Sequence, residues 1–157
     1  MNDATLPADS FSQSGGDVID SIATCARMVA ALATSLAKAS PGSREAADVL
    51  TLQTHLSWVV LAGDDAWKIK KPVAFDFVDF STLARRRRAC DEELRLNRRY
   101  SPAIYRAVVP IVGSVDAPRL AIAAAAAPAA AAGLDAPAGS GFEPIEYAVW
   151  MKRFDQQ

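Results

Sequence analysis

The sequence predicts an α+β domain: an antiparallel β-sheet of about five strands packed on one main helix, with a further helix near the N-terminus. Three observations lead there. Two stretches, 17–39 and 82–100, carry apolar residues at helical spacing with no Pro or Gly inside them. Five shorter stretches, at 54–62, 66–73, 107–112, 119–122 and 144–154, read as strands. Gly, Pro, Asp and Ser clusters separate these stretches, as short turns require.

Residues 1–16 are rich in Ser, Gly, Asp and Asn and are expected to be mobile. In 17–39 the apolar residues Ile19, Ile22, Met28, Val29, Leu32, Leu36 and Ala37 define the first helix, and Ser40-Pro41-Gly42-Ser43 ends it. On this reading 1–43 is a mobile leader with one loosely packed helix, and 44–157 is the folded domain. There is no Lys or Arg before Arg27, and the uncharged stretch from Met28 to Ala37 is about half the roughly 20 residues a membrane span needs. A soluble, cytoplasmic protein is therefore expected.

Leu56, Trp58 and Val60 fall on one face of the first strand, and Gly63-Asp64-Asp65 turns the chain into AWKIKKPV, residues 66–73. Pro72, which has no amide to donate, ends that strand. By two-residue alternation Trp67 and Ile69 point one way while Ala66, Lys68 and Lys70 point the other. A solvated strand face accounts for such lysines, because edge lysines also discourage aggregation. The next helix argues for more than that.

FDFVDF, residues 75–80, reads as a packed aromatic crossover with solvated acids at Asp76 and Asp79, after which Ser81 is the expected N-cap of the second helix. On a wheel of about 100° per residue, Ala89, Cys90, Leu94, Leu96 and Tyr100 bracket Glu93, while Glu92 lies with Arg85, Arg88, Arg95 and Arg99. A carboxylate within an apolar stripe needs a cation from a neighbouring element. Lys68 or Lys70 can supply it. Lysine on a strand and glutamate on a helix form the device by which kinase-like enzymes hold an ammonium against nucleotide phosphates. The A-x-K pattern, with a small residue beside the adenine and a lysine two positions on, fits Ala66-Trp67-Lys68. Lys68 is preferred over Lys70, because Lys70 has Lys68 where the small residue belongs.

The run THLSWVVLAGDDAWKIKKPVAFDFVDFSTLARRRRACDEELRLNRRYSPAIY, then VVPI and EYAVWMKRF, resembles the start of bacterial proteins that join an aminoglycoside-phosphotransferase-like kinase domain to a P-loop ATP-binding domain. The likeness covers about residues 48–157. It implies the small, N-terminal lobe of a kinase-like fold, with Lys68 and Glu93 as the ion pair, ATP and Mg²⁺ as cofactors, and Met151 at the hinge that contacts adenine. Ala66 and Lys70 complete the expected nucleotide-binding set. The catalytic Asp, the Asn and the magnesium-binding Asp of such enzymes belong to a larger lobe. No HGD-type loop and no GxxxxGK[ST] segment occurs in these 157 residues, so the C-lobe is expected to be absent and the chain to be a fragment. Weak nucleotide binding without phosphoryl transfer is the expected activity, with a separately encoded C-lobe or self-association through the exposed cleft wall as the expected partner.

Other features carry less. The sequence 123–141, AAAAAPAAAAGLDAPAGSG, is broken by Pro128, Gly133, Pro137, Gly139 and Gly141 and is expected to be a mobile loop. His55 is the sole histidine, without the partners a metal site or a triad requires. Cys25 and Cys90 lack CxxC spacing and read as reduced thiols. With 17 basic and 18 acidic residues, no net field draws the chain to nucleic acid. The arginines at 85–88 are interleaved with Asp91, Glu92 and Glu93 and read as a solvated face rather than a nucleic-acid-binding helix. A non-catalytic remnant or interaction module is the alternative reading.

Overall fold

The computed structural model describes residues 19–39, 49–125 and 143–153. The expectations for 1–16, for the Ser40–Ser43 boundary, for most of the 123–141 loop and for Phe154 lie outside the described residues. In chain order the elements are α1 (Ile22–Lys38), β1 (Leu50–Gln53), β2 (Ser57–Ala62), β3 (Asp65–Lys70), β4 (Ala74–Phe75), β5 (Val78–Asp79), α2 (Leu83–Arg98), β6 (Tyr105–Gly113), β7 (Pro118–Leu120), α3 (Ile122–Ala125) and β8 (Pro144–Lys152).

Six strands form one antiparallel sheet in the order β1-β2-β3-β8-β6-β7. Gly63, with φ 56, takes the first central position of the two-residue turn between β2 and β3, and the non-glycine residue after it needs no positive φ. The chain then leaves for the β4–β5 hairpin and α2, returns as β6, and inserts β8 last, between β3 and β6. Lys68 therefore lies on an interior strand, with Val59 opposite on β2 and Val149 opposite on β8.

One helix covers each face. Cys25, Met28, Val29 and Leu32 of α1 are buried with Trp58, Val60, Trp67, Ile69, Val109 and Ile111. On α2, Cys90 packs with Tyr147 and Val149 of β8. This overturns the expected loose packing of α1. The buried four recur at i, i+3, i+4 and i+7, a stripe wide enough to seal a sheet, and burying Met28 and Leu32 alone contributes roughly 1.5–3 kcal/mol each. Ser21 fixes its start, accepting from the Thr24 amide at 3.1 Å.

Two local expectations are also corrected. Thr82, not Ser81, caps α2, accepting from the Arg85 amide at 3.2 Å. Ser81 is occupied by Asp79, to which it donates its amide at 3.0 Å and its hydroxyl at 2.6 Å. These hydrogen bonds hold the Asp79 carboxyl down at about 2, with Arg85 assisting and desolvation opposing. The aromatic connector is a short hairpin rather than a packed crossover: Phe80 is buried, but Phe77 is 81% exposed and stacks on Phe75 with centroids 5.7 Å apart. The sixth strand, β1, is an edge strand whose residues are all exposed, so no burial alternation marks it.

Arg86 departs most from expectation. Within the arginine run read as solvated, it is 1% exposed and faces the fully buried Glu146 of β8. Its Nε donates to Glu146 Oε2 at 2.8 Å and Oε1 at 3.1 Å, Nη1 to the Phe80 carbonyl at 2.9 Å, and Nη2 to the Ile19 carbonyl at 2.9 Å. Burial pushes the Glu146 carboxyl above its ordinary range, while Arg86 and the Tyr147 amide pull it back. One guanidinium thus ties the approach to α1, the entry to α2 and β8 together.

Two predictions arise here. Gly113 ends β6 with φ 98, and a Cβ there would lie 2.5 Å from the Ala117 carbonyl oxygen. Gly113→Ala is expected to cost about 1–3 kcal/mol in urea unfolding; an unchanged midpoint would show that the β6–β7 turn relaxes freely. Burial raises the thiols of both Cys25 and Cys90 to about 12, chiefly by desolvation. Neither should react with a thiol reagent at neutral pH until the chain unfolds, and rapid labelling under native conditions would contradict the packing of both helices.

Candidate functional site

The site begins with strand alternation. Because Trp67 and Ile69 are drawn into the α1 core, Ala66, Lys68 and Lys70 must face α2. Glu93, in the second half of α2, meets both lysines: Lys68 Nζ donates to Oε1 at 2.8 Å, and Lys70 Nζ donates to Oε2. The sequence posed a choice between the lysines; the folded chain uses both. Side-chain exposure is 29% for Lys68, 9% for Lys70 and 12% for Glu93. Lys70 also lies 5.6 Å from the centroid of the Phe80 ring.

Burial alone would raise the Glu93 carboxyl, but hydrogen bonds and charge from Lys68 and Lys70 outweigh it and hold the group below its ordinary range. The cluster carries two ammonium groups and one carboxylate. One positive charge is left over in a half-buried place, and Lys68 is the ammonium that solvent reaches. The neighbouring Lys71 is engaged elsewhere, donating to the Thr54 carbonyl and lying 4.8 Å from the Trp58 ring. Glu92 pairs with Arg95 at 2.8 Å on the exposed side of α2, as the wheel predicts.

Ala66 and Met151 sit opposite one another on β3 and β8, with Ala66 buried and Met151 half-buried. Met151 packs against the Cys90 cluster under α2. Ala66, Lys68 and Met151 thus come from adjacent interior strands.

The remaining sequence candidates do not join it. His55 is exposed in the β1–β2 turn, and Asp79 is committed to Ser81 and Arg85. Among the described residues, no group of three or more His, Cys, Asp and Glu is placed to hold a metal ion. None of their helices is long and apolar enough to cross a membrane. A groove of mixed polarity between α1 and the β6–β7 turn, lined by Ala31, Thr34, Lys38, Asp116, Pro118 and Arg119 among others, holds none of the expected site residues. Sequence reasoning missed the Arg86–Glu146 pair. The available signal was an acid within PIEYAVWMK, an otherwise apolar strand up to its last residue.

Over 53 residues, 34% of the chain, the sequence is 53% identical to the uncharacterized protein Mb2027c of Mycobacterium bovis and, to the same extent, to the uncharacterized protein Rv2004c of Mycobacterium tuberculosis. The match spans 11% of each of these relatives, so the chain corresponds to about a tenth of their length. No family model and no solved structure matches the chain.

Proposed function

We propose that this chain is the nucleotide-holding lobe of an ATP-dependent small-molecule phosphotransferase of the aminoglycoside-phosphotransferase-like kind. The observation that carries the reading is the Lys68–Glu93–Lys70 cluster, which leaves one surplus positive charge at the most accessible of its three side chains. An oriented ammonium with solvent access is what a phosphate oxygen requires. Ala66, two residues earlier on the same face, is the small residue of the A-x-K pattern, and Met151 lies across the strand pair from it. Magnesium would arrive with the phosphates rather than on ligands of the described residues.

Phosphoryl transfer needs an aspartate base and a magnesium-binding aspartate, which enzymes of this kind carry on the larger lobe. They would come from a further segment, in the same polypeptide or a separate one, in the cytoplasm where ATP is abundant. Titration of ATP with magnesium into the wild type and into Lys68→Ala tests the reading. Loss of a charge-assisted contact worth about 1.5–3 kcal/mol should weaken binding at least tenfold; equal affinities would remove the site.

A second reading, a non-catalytic interaction module, is favoured by one observation, the solvent-facing Phe75–Phe77 stack. A basic-helix role in nucleic-acid binding has less support. Arg85, Arg86, Arg87 and Arg95 already face Asp79, Glu146, Asp91 and Glu92, and Arg98 donates to the carbonyls of Tyr105 and Arg106.

A further inference from the structure

Each carboxylate oxygen of Glu93 has its own ammonium, Lys68 on Oε1 and Lys70 on Oε2, and the two lysines are not equivalent. Lys70 is nearly sealed, lies near the Phe80 ring, and offers its backbone carbonyl to the buried Cys25 thiol at 3.9 Å. An ammonium held there has little freedom to move. Lys68 keeps about three times the exposure, 29% against 9%, and can swing. Were Lys68 the sole partner of Glu93, passing its ammonium to a phosphate would strand a half-buried carboxylate.

We propose that Lys70 is the positioning residue of this site: through Oε2 it keeps Glu93 ionised and in place, which frees Lys68 to pass to a phosphate oxygen. The ligand side of this proposal rests on the phosphate-binding reading above. It also narrows the ligand class. With Glu93 neutralised by Lys70, the whole charge of Lys68 is available, and that favours a polyphosphate chain over a neutral ligand. The charges acting on Glu93 are those of Lys68 and Lys70 on β3. Cys90, three residues earlier on α2, remains a thiol, Asp91 faces Arg87, and Glu146 on β8 is held by Arg86.

Urea unfolding of the full chain from about pH 3 to about pH 8 tests the positioning role without a ligand. Removing a cation from Glu93 lets its folded pKa rise, so stability begins to fall at a higher pH. In Lys70→Gln this acid limb should move up by about one pH unit, in Lys68→Gln by less than about half a unit, and Lys70→Arg should restore it. A shift in Lys68→Gln as large as that in Lys70→Gln overturns the proposal. A full-unit shift in Lys68→Gln overturns it even if Lys70→Gln does not fold.

The ligand side is read by titrating Mg·ATP and inorganic tripolyphosphate. Lys70→Gln should weaken both about tenfold at neutral pH and by less at acid pH, where protonation of Glu93 frees Lys68, with recovery in Lys70→Arg. Binding unchanged by Lys70→Gln at every pH overturns the proposal. If the wild type binds neither compound, the phosphate-binding reading falls, and the acid limbs still decide whether Lys70 holds Glu93.

Discussion

Arg86→Met is expected to lower the stability of the chain by about 3–5 kcal/mol, the largest effect of any substitution proposed for this protein. The change leaves Glu146 fully buried with its counter-ion gone and deprives the Phe80 and Ile19 carbonyls of a donor. Methionine fills much of the vacated volume, so the loss is electrostatic rather than a cavity effect. Urea unfolding at neutral pH measures it. The double variant Arg86→Met, Glu146→Leu should recover most of the loss, because two apolar groups of similar size need no pairing. A single variant as stable as wild type would mean that water reaches Glu146 and that the pair is not sealed.

The second large effect is expected at Glu93. Glu93→Gln keeps shape and hydrogen-bonding capacity but leaves two ammonium groups side by side with no charge between them, and should cost about 2–3 kcal/mol at neutral pH. The sign of the pH dependence follows from the carboxyl lying below its ordinary value of 4.5 in the folded chain. Its contribution is complete above that value and fades as pH falls through the lower, folded one. Wild type and variant should therefore differ most near neutrality and converge in strong acid. A difference that stays constant down the acid range would assign the loss to packing rather than to charge.

Much of this site was legible beforehand. Strand alternation placed Lys68 and Lys70 on one face, and the helical wheel placed Glu93 where it had to find a cation; both inferences need only local periodicity and the cost of an unpaired buried charge. That the carboxylate takes both lysines was not legible, because the twist and spacing of β3 against α2 decide how many ammonium groups come within reach. Arg86 was read as solvated with the rest of the 85–88 run, although it lies four residues before Cys90 and seven before Glu93, on the face that turns inward. Its partners, Ile19, Phe80 and Glu146, all lie outside α2, and the periodicity of the helix does not name them. Similarly, α1 was read as a loose leader since its composition does not say which sheet face is left open. Turn chemistry misled at Ser81, where the capping hydroxyl had a nearer acceptor in Asp79.

The place of β8 has a consequence for biogenesis. As residues emerge from the ribosome, β3 must wait with one edge unsatisfied until roughly 80 further positions have been synthesised, a count set by the separation of Lys68 from its partner Val149. During that interval a nascent chain offers an open hydrogen-bonding rim to any extended peptide it meets. Protein interrupted before Pro144 should therefore be captured by chaperones or aggregate, rather than persist as a smaller folded unit.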